Sequence, residues 1–277
     1  MERKEYLDKL LRRIKGRNEP TVLYVKQYPR DVVIEMHFPS LKKRNSSKDR
    51  VSGRPKGSNI RKFSKRSVQR LNFFMRNTEE LWQYCFIFSL ETSQEKLENF
   101  KSGLNSFLHL LRFREIKFVW FIGYDIQNKQ YVVVMFLSRQ TSVSHLDEAW
   151  NRLVGGNVID HFPIETNPFI VFKNLFEKYS EVLISKPQEI PHLNHIGKFW
   201  GSSRGVLNYE LINKIVFKTY QEAVAKLKGI KTWLENHMKR LKIEWQYTGF
   251  GMIVFDGAKH ILQYIKSKFG LPSPSPP

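Results

Sequence analysis

A chain of 277 residues, 41% hydrophobic and 14% aromatic, is long enough to bury one or two cores and too apolar to stay disordered. Its 46 Lys and Arg against 26 Asp and Glu leave a net charge of +20, which favours a polyanionic partner. Nucleic acid fits better than a membrane, because the sequence shows no basic amphipathic anchor or lipidation signal. The longest apolar run, residues 131–137, is far too short to span a bilayer, and residues 1–17 lack the apolar centre of a signal peptide. The single cysteine, Cys85, fits a reducing compartment, so a cytoplasmic protein is expected.

In chain order, Tyr6, Leu7, Leu10, Leu11 and Ile14 recur at helical spacing. The stretch TVLYVKQYPRDVVIEMHF splits at Tyr28-Pro29-Arg30-Asp31 into two strands, a small hairpin. Residues 42–70 are the sharpest shift in composition. Lys42, Lys43, Arg44, Arg54, Lys56, Arg61, Lys62, Lys65, Arg66 and Arg70 stand there against the lone acid Asp49, and Ser52, Gly53, Pro55, Gly57 and Ser58 make the first half a flexible linker. From Ser64 the pattern turns helical through Val68, Leu71, Phe74 and Met75. Such cations release counterions from DNA without a rigid pocket, so these residues are expected to contact phosphates.

WQYCFIFSL (82–90) reads as a buried strand, and Thr92 with Glu95 as the capping box of the next helix. That helix carries Leu97, Phe100, Leu104, Phe107, Leu108 and Leu111 on one stripe, with His109 beside it. IKFVWFIGYD and YVVVMFLS then flank a turn at Gln127-Asn128-Lys129, a β-hairpin at the centre of a sheet. Ser144 and Asp147 are expected to cap a helix through Ala149, Trp150 and Leu153 that ends at Gly155-Gly156. A short strand or loop is expected near 158–164, and a helix over 167–184 with Pro168 at its first position. Beyond Gly205 the spacing of Ile215, Tyr220, Val224, Leu227 and Leu234 predicts a long helix. A strand-like GFGMIVF, a last helix over 257–268 and the irregular tail LPSPSPP follow.

The order of these segments resembles the replication-initiator (Rep) branch of the HUH endonucleases: a basic FSKRS helix, strand, helix, hairpin, helix, and then GKFWGSSRG at 197–205. The resemblance implies an α+β fold, an antiparallel sheet with helices packed on one side. The parts would be a helix-and-hairpin appendage over 1–40, a basic flexible linker over 41–63 and a Rep/HUH-like domain over 64–205. A mainly helical C-terminal extension over 206–270 and a disordered tail over 271–277 would complete the chain.

Members of that family nick one DNA strand with a metal held by a carboxylate on the first hairpin strand and a His-x-His pair on the second. Aligned on Trp120, the resemblance puts Gly123 at the carboxylate and Tyr131 and Val133 at the histidines. None of these can serve, and Asp125 alone would give one oxygen, so no metal and no cofactor is expected. The family's Tyr-x-x-Lys-Tyr motif maps onto Leu175, Lys178 and Tyr179, which leaves Tyr179 as the candidate nucleophile with Lys178 beside it. His192 and His195, with His161 upstream, are too loosely spaced for a convincing metal site. In GKFWGSSRG, Lys198 and Arg204 bring charge, and Ser202 and Ser203 bring hydroxyls to a glycine-bounded loop.

The expected function is DNA binding by a Rep-derived protein whose nicking site is lost or severely weakened, in plasmid, phage or transposon biology, with protein partners in such a complex. Two alternatives stay open. One is a divergent nickase using Tyr179. The other is an RNA-binding or protein-interaction subunit, for which aromatic residues on an open sheet face would speak.

Overall fold

Two strand patterns organise the molecule: alternating burial along residues 21–27, and nearly unbroken burial along 84–90, 118–125 and 130–137. The computed structural model describes residues 21–37, 63–90, 94–191, 193–196, 198–237, 240, 244–247, 251–256 and 258–269. The expectations for residues 2–16, for Lys42, Lys43, Arg44, Arg54, Lys56, Arg61 and Lys62, for the Thr92 cap, for His192 and for the tail lie outside them. In chain order the elements are β1 (Thr21–Gln27), β2 (Val32–His37), α1 (Lys65–Arg76), β3 (Tyr84–Leu90), α2 (Gln94–Phe113), β4 (Phe118–Asp125), β5 (Gln130–Leu137) and α3 (Val143–Leu153). Then come β6 (Val158–Pro163), α4 (Pro168–Ser185), the single turn α5 (Leu193–Ile196), β7 (Trp200–Ser202), β8 (Glu210–Phe217), α6 (Tyr220–His237), β9 (Trp245–Tyr247), β10 (Gly251–Val254) and α7 (Ala258–Phe269). They fall into two units, residues 52–207 and residues 1–51 with 208–277.

In the 52–207 unit the sheet order is β6-β3-β5-β4-β7, with every neighbouring pair antiparallel. Its first four strands follow the β-α-β-β-α-β connectivity of the split βαβ unit, and β7 extends the sheet beside β4. The hairpin closes as the turn residues predict. Asp125 Oδ1 accepts from the backbone N–H groups of Gln127 (3.0 Å) and Asn128 (3.2 Å), and Lys129 adopts φ +50°.

β5 lies at the centre and is buried without interruption from Tyr131 to Leu137. Such a run means that both faces are covered, and they are. On one face Phe88 stacks on Trp150 of α3 (4.3 Å between centroids) and meets Phe107 of α2 edge-on (5.5 Å). On the other face Phe121 and Phe136 meet Phe172 of α4, and Phe74 of α1 meets Trp200 of β7. The α+β character with an antiparallel sheet therefore holds, but the helices are not on one side: α2 and α3 cover one face, α1 and α4 the other. Each apolar side chain enclosed this way contributes about 1.5–3 kcal/mol.

Local signals set most ends. Asn167 caps α4 by accepting from the N–H groups of Phe169 and Ile170, with Pro168 in the first turn. α3 starts earlier than expected: Ser142, not Ser144, is its cap, and Asp147 accepts from the N–H of Val158 in β6.

The other unit corrects the expected domain plan. The 21–37 hairpin is no separate appendage, and the segment after residue 206 adds three strands to its two helices, because together they build the sheet β8-β1-β2-β10-β9. Ile215, expected in a helix, pairs with Leu23 as part of β8. Leu23, Val25, Val32, Ile34, Met252 and Val254 pack with Leu227, Ile230 and Leu234 of α6 and Ile261 and Ile265 of α7.

Candidate nucleic-acid interface and the hairpin site

Two of the separately predicted basic segments meet in the structure. Ser64 caps α1, its side chain accepting from the N–H of Ser67 (3.2 Å), and Leu71, Phe74 and Met75 turn into the core. Just before the cap, Phe63 is buried, stacked on Phe199 (5.3 Å, 16°) and edge-on to Phe176 of α4. The Trp200 indole N–H donates to Ser67 Oγ (2.9 Å). These contacts fasten the start of α1 to the 198–200 strand end. Lys65, Arg66 and Arg70 on the helix and Lys198 on the strand end remain exposed beside that joint.

Lys65 and Arg66 sit in the first turn of α1, which holds no acid. Cations there oppose the helix dipole and are normally unfavourable by a few tenths of a kcal/mol or more. A bound anion would reverse that sign. Arg204 is exposed two residues beyond β7, ahead of Gly205, whose φ of +67° a glycine adopts without strain. The hydroxyl of Ser203 is not available to a ligand: it accepts from the Phe118 N–H (3.0 Å), while its own N–H donates to the Phe118 carbonyl (2.8 Å).

At the hairpin, register decides what the three ligand positions do. Gly123 pairs with Val132, Ile122 with Val133 and Tyr124 with Tyr131. Directly opposed residues share a face, so Gly123 faces α4 while Tyr131 and Val133 face the opposite side, the one covered by α2 and α3. The three positions do not converge. On the Gly123 face the partner strand offers Gln130, Val132, Val134 and Phe136, so neither face of the hairpin yields an imidazole from β5.

Gly123 has a packing role. A Cβ there would lie 2.4 Å from Tyr179 Cβ and 2.9 Å from the Tyr179 carbonyl oxygen, so α4 rests directly on the bare backbone of β4. Ser180 fixes that seat by donating to the Ile122 carbonyl (3.0 Å). No side chain fits at 123, least of all a carboxylate. Tyr131 is fully buried, edge-on to Tyr124 at 5.2 Å, and its hydroxyl donates to the Pro191 carbonyl (2.6 Å); burial first, then Tyr124, raises its pKa far above the ordinary phenol. The groups present do not fit a metal, and among the described residues no cluster of three His, Cys, Asp or Glu side chains could hold one.

Asp125 is engaged by the turn. Burial pushes its carboxyl up, but the Asn128 side chain (2.9 Å), the two turn N–H groups and the Lys178 charge together bring it below the usual range. Tyr179 is 5% exposed and belongs to the core, with the Lys178 ammonium 4.7 Å from its ring centre. Lys178 is exposed on α4, and its pKa is raised by a hydrogen bond to the Tyr179 hydroxyl and then by the Tyr179, Asp125 and Asp160 charges, against a smaller loss from burial. Leu175 packs against the same core. His161 stacks on Phe86 (5.7 Å) along β6, and nothing is described of His192 or of the His195 side chain. Cys85 is buried on β3, where burial raises its thiol.

The contact that sequence reasoning missed is the Phe63–Phe199 stack. Both residues sat inside segments singled out for charge, and the apolar residue within each was the available signal. Among the described residues no helix is long and apolar enough to cross a membrane. Comparison with protein-family models, with curated proteins and with solved structures finds no match to this chain.

Proposed function

We propose that this chain is a DNA-binding protein derived from a rolling-circle replication initiator, with its nicking site lost or severely weakened, acting in replication or mobile-element biology. The observation that carries the reading is the joint between α1 and the 198–200 strand end, which brings two basic segments together with Lys65, Arg66, Arg70 and Lys198 exposed. The net charge of +20 supports it. The connectivity of the 52–207 sheet is compatible with the resemblance in segment order, and the packed hairpin supports loss of the metal-dependent step.

Binding is electrostatic in large part, so affinity for duplex or hairpin DNA falls steeply with salt, by a slope of roughly −0.9 per phosphate contacted. Replacing Lys65, Arg66 and Arg70 by Gln flattens that slope and weakens binding to every duplex sequence alike. Salt-independent binding, or none to DNA, would remove the proposal.

A nickase built on Tyr179 is the competing reading. Incubation with single-stranded and hairpin DNA plus Mg²⁺ or Mn²⁺ distinguishes the two. No covalent adduct is expected on a denaturing gel, since Tyr179 is buried and, among the described residues, no cluster of ligands holds a metal ion at a scissile phosphate, which leaves only the Lys178 ammonium beside it. An adduct that vanishes in Tyr179→Phe would establish the nickase instead.

A further inference from the structure

Among the described residues, the sheet of the other unit has helices packed on one face, and its other face carries a distinctive set of side chains. Alternation along β1 sends Thr21, Leu23 and Val25 into the core and Val22, Tyr24 and Lys26 the other way. The register then composes the outer face. Val22 is flanked by Val216 of β8 and His37 of β2, and Tyr24 by Lys214 and Glu35. Lys26 is flanked by Leu211 and Val33. Val216, Lys214, Leu211 and His37 are exposed, Tyr24 is half-buried, and Lys26 and Val33 are mostly buried. Among the described residues, no helix contributes to this side, since α6 and α7 pack with Leu23, Val25, Ile34 and Met252.

These groups are held in a fixed arrangement. Glu35 accepts from the Lys26 ammonium (2.6 Å) and meets His37 Nε2 (3.2 Å). The His37 ring sits edge-on to Tyr24 at 4.8 Å, and Lys26 lies over the Tyr209 ring, 4.9 Å from its centre. Tyr209 is 50% exposed and leans on Tyr28 at 5.4 Å. Glu35 is thus engaged by Lys26 and His37, and Lys214 adds a positive charge two strands from His37. More than half of the chain's 46 Lys and Arg, and fewer than half of its 26 Asp and Glu, fall in the ranges of this unit.

Oriented rings beside an exposed cation, Lys214 directly across from Tyr24, suit one class of ligand. Base faces stack on aromatic side chains regardless of sequence, while the adjoining backbone needs positive charge and not a shaped pocket. A duplex hides its base faces, so the complement is a single strand. We infer that the outer face of the β8-β1-β2 sheet binds single-stranded nucleic acid, with bases against Tyr24 and Tyr209 and the backbone along Lys214. This site lies outside the α1 patch and goes beyond the function proposed above.

The test uses the full chain, a short fluorescent oligothymidylate and a duplex of matched length. Replacing both Tyr24 and Tyr209 by Ala lowers oligothymidylate affinity about ten-fold or more while leaving duplex affinity within two-fold, and Tyr24→Phe with Tyr209→Phe retains binding. Ultraviolet cross-linking to a bromouridine-substituted strand places adducts on peptides containing Tyr24 or Tyr209. The Gln variants of Lys65, Arg66 and Arg70 weaken the duplex and leave those adducts in place, so failure of the α1 patch and failure of this face are read separately. The inference is overturned if the folded double-alanine variant, checked by circular dichroism, binds the strand as the parent does, or if cross-links fall only within residues 64–205. Sedimentation showing a dimer that Leu211→Lys dissolves would equally overturn it, by assigning the face to a second copy.

Discussion

The seat of α4 on β4 makes Gly123→Ala the most informative single substitution. The new methyl would stand 2.4 Å from Tyr179 Cβ and 2.9 Å from the Tyr179 carbonyl oxygen, against the roughly 3.5–4.0 Å that carbon atoms prefer. Neither neighbour is the far end of a flexible side chain, so the helix itself has to retreat by about 1 Å. That retreat stretches the 3.0 Å bond from Ser180 to the Ile122 carbonyl and loosens Phe172 and Phe176 against Phe121. Overpacking of this kind costs about 1–3 kcal/mol and a weakened buried hydrogen bond about 0.5–1.5 kcal/mol, so a loss of about 2–4 kcal/mol is expected. Against a typical total of about 5–15 kcal/mol this is large. Urea unfolding followed by tryptophan fluorescence reads it, because Trp120 and Trp150 both lie buried in this unit. A variant within about 0.5 kcal/mol of the parent would refute the argument that glycine is there to admit the helix.

The remaining predictions draw on other parts of the chain. Gly229 lies in α6, where an added methyl group would meet no atom within 4 Å, so Gly229→Ala should stabilise by about 0.5–1 kcal/mol, read as a raised Tm. Tyr131→Phe removes the donor to the Pro191 carbonyl and should cost about 0.5–1.5 kcal/mol in urea unfolding, with no change in DNA affinity. Burial raises the Glu35 carboxyl, but bonds from Lys26 and His37 carry it below its ordinary value of 4.5. Its contribution is therefore complete above pH 4.5 and is lost as pH falls below that, through the depressed value; Glu35→Gln should flatten this acid limb of the stability profile.

Much of the local structure was legible because it depends on local chemistry. The Asn167-Pro168 start of α4, the Asp125 turn and the apolar stripe of α2 are each decided within a few residues by caps, turn geometry and helical period. The apolar run YVVVMFL has no polar alternation to spare for solvent, but helices were expected on one side of the sheet, and the structure covers both faces of β5. Three matters were decided only in three dimensions. The partnership of Leu23 with Ile215 joins residues far apart in the chain, and nothing in either strand names the other; only the common core with α6 and α7 selects it. The isolated period of Ile215 and Tyr220 therefore suggested a helix where a strand forms. The hairpin register set Gly123 and Tyr131 on opposite faces, because strand side chains alternate every residue and one step of pairing exchanges the faces. The joint of Phe63 with Phe199 and of Ser67 with Trp200 unites two basic segments that each looked like a solvated loop. Apolar residues among charges are weak signals alone, and their meaning came from the partner that the folded chain set against them.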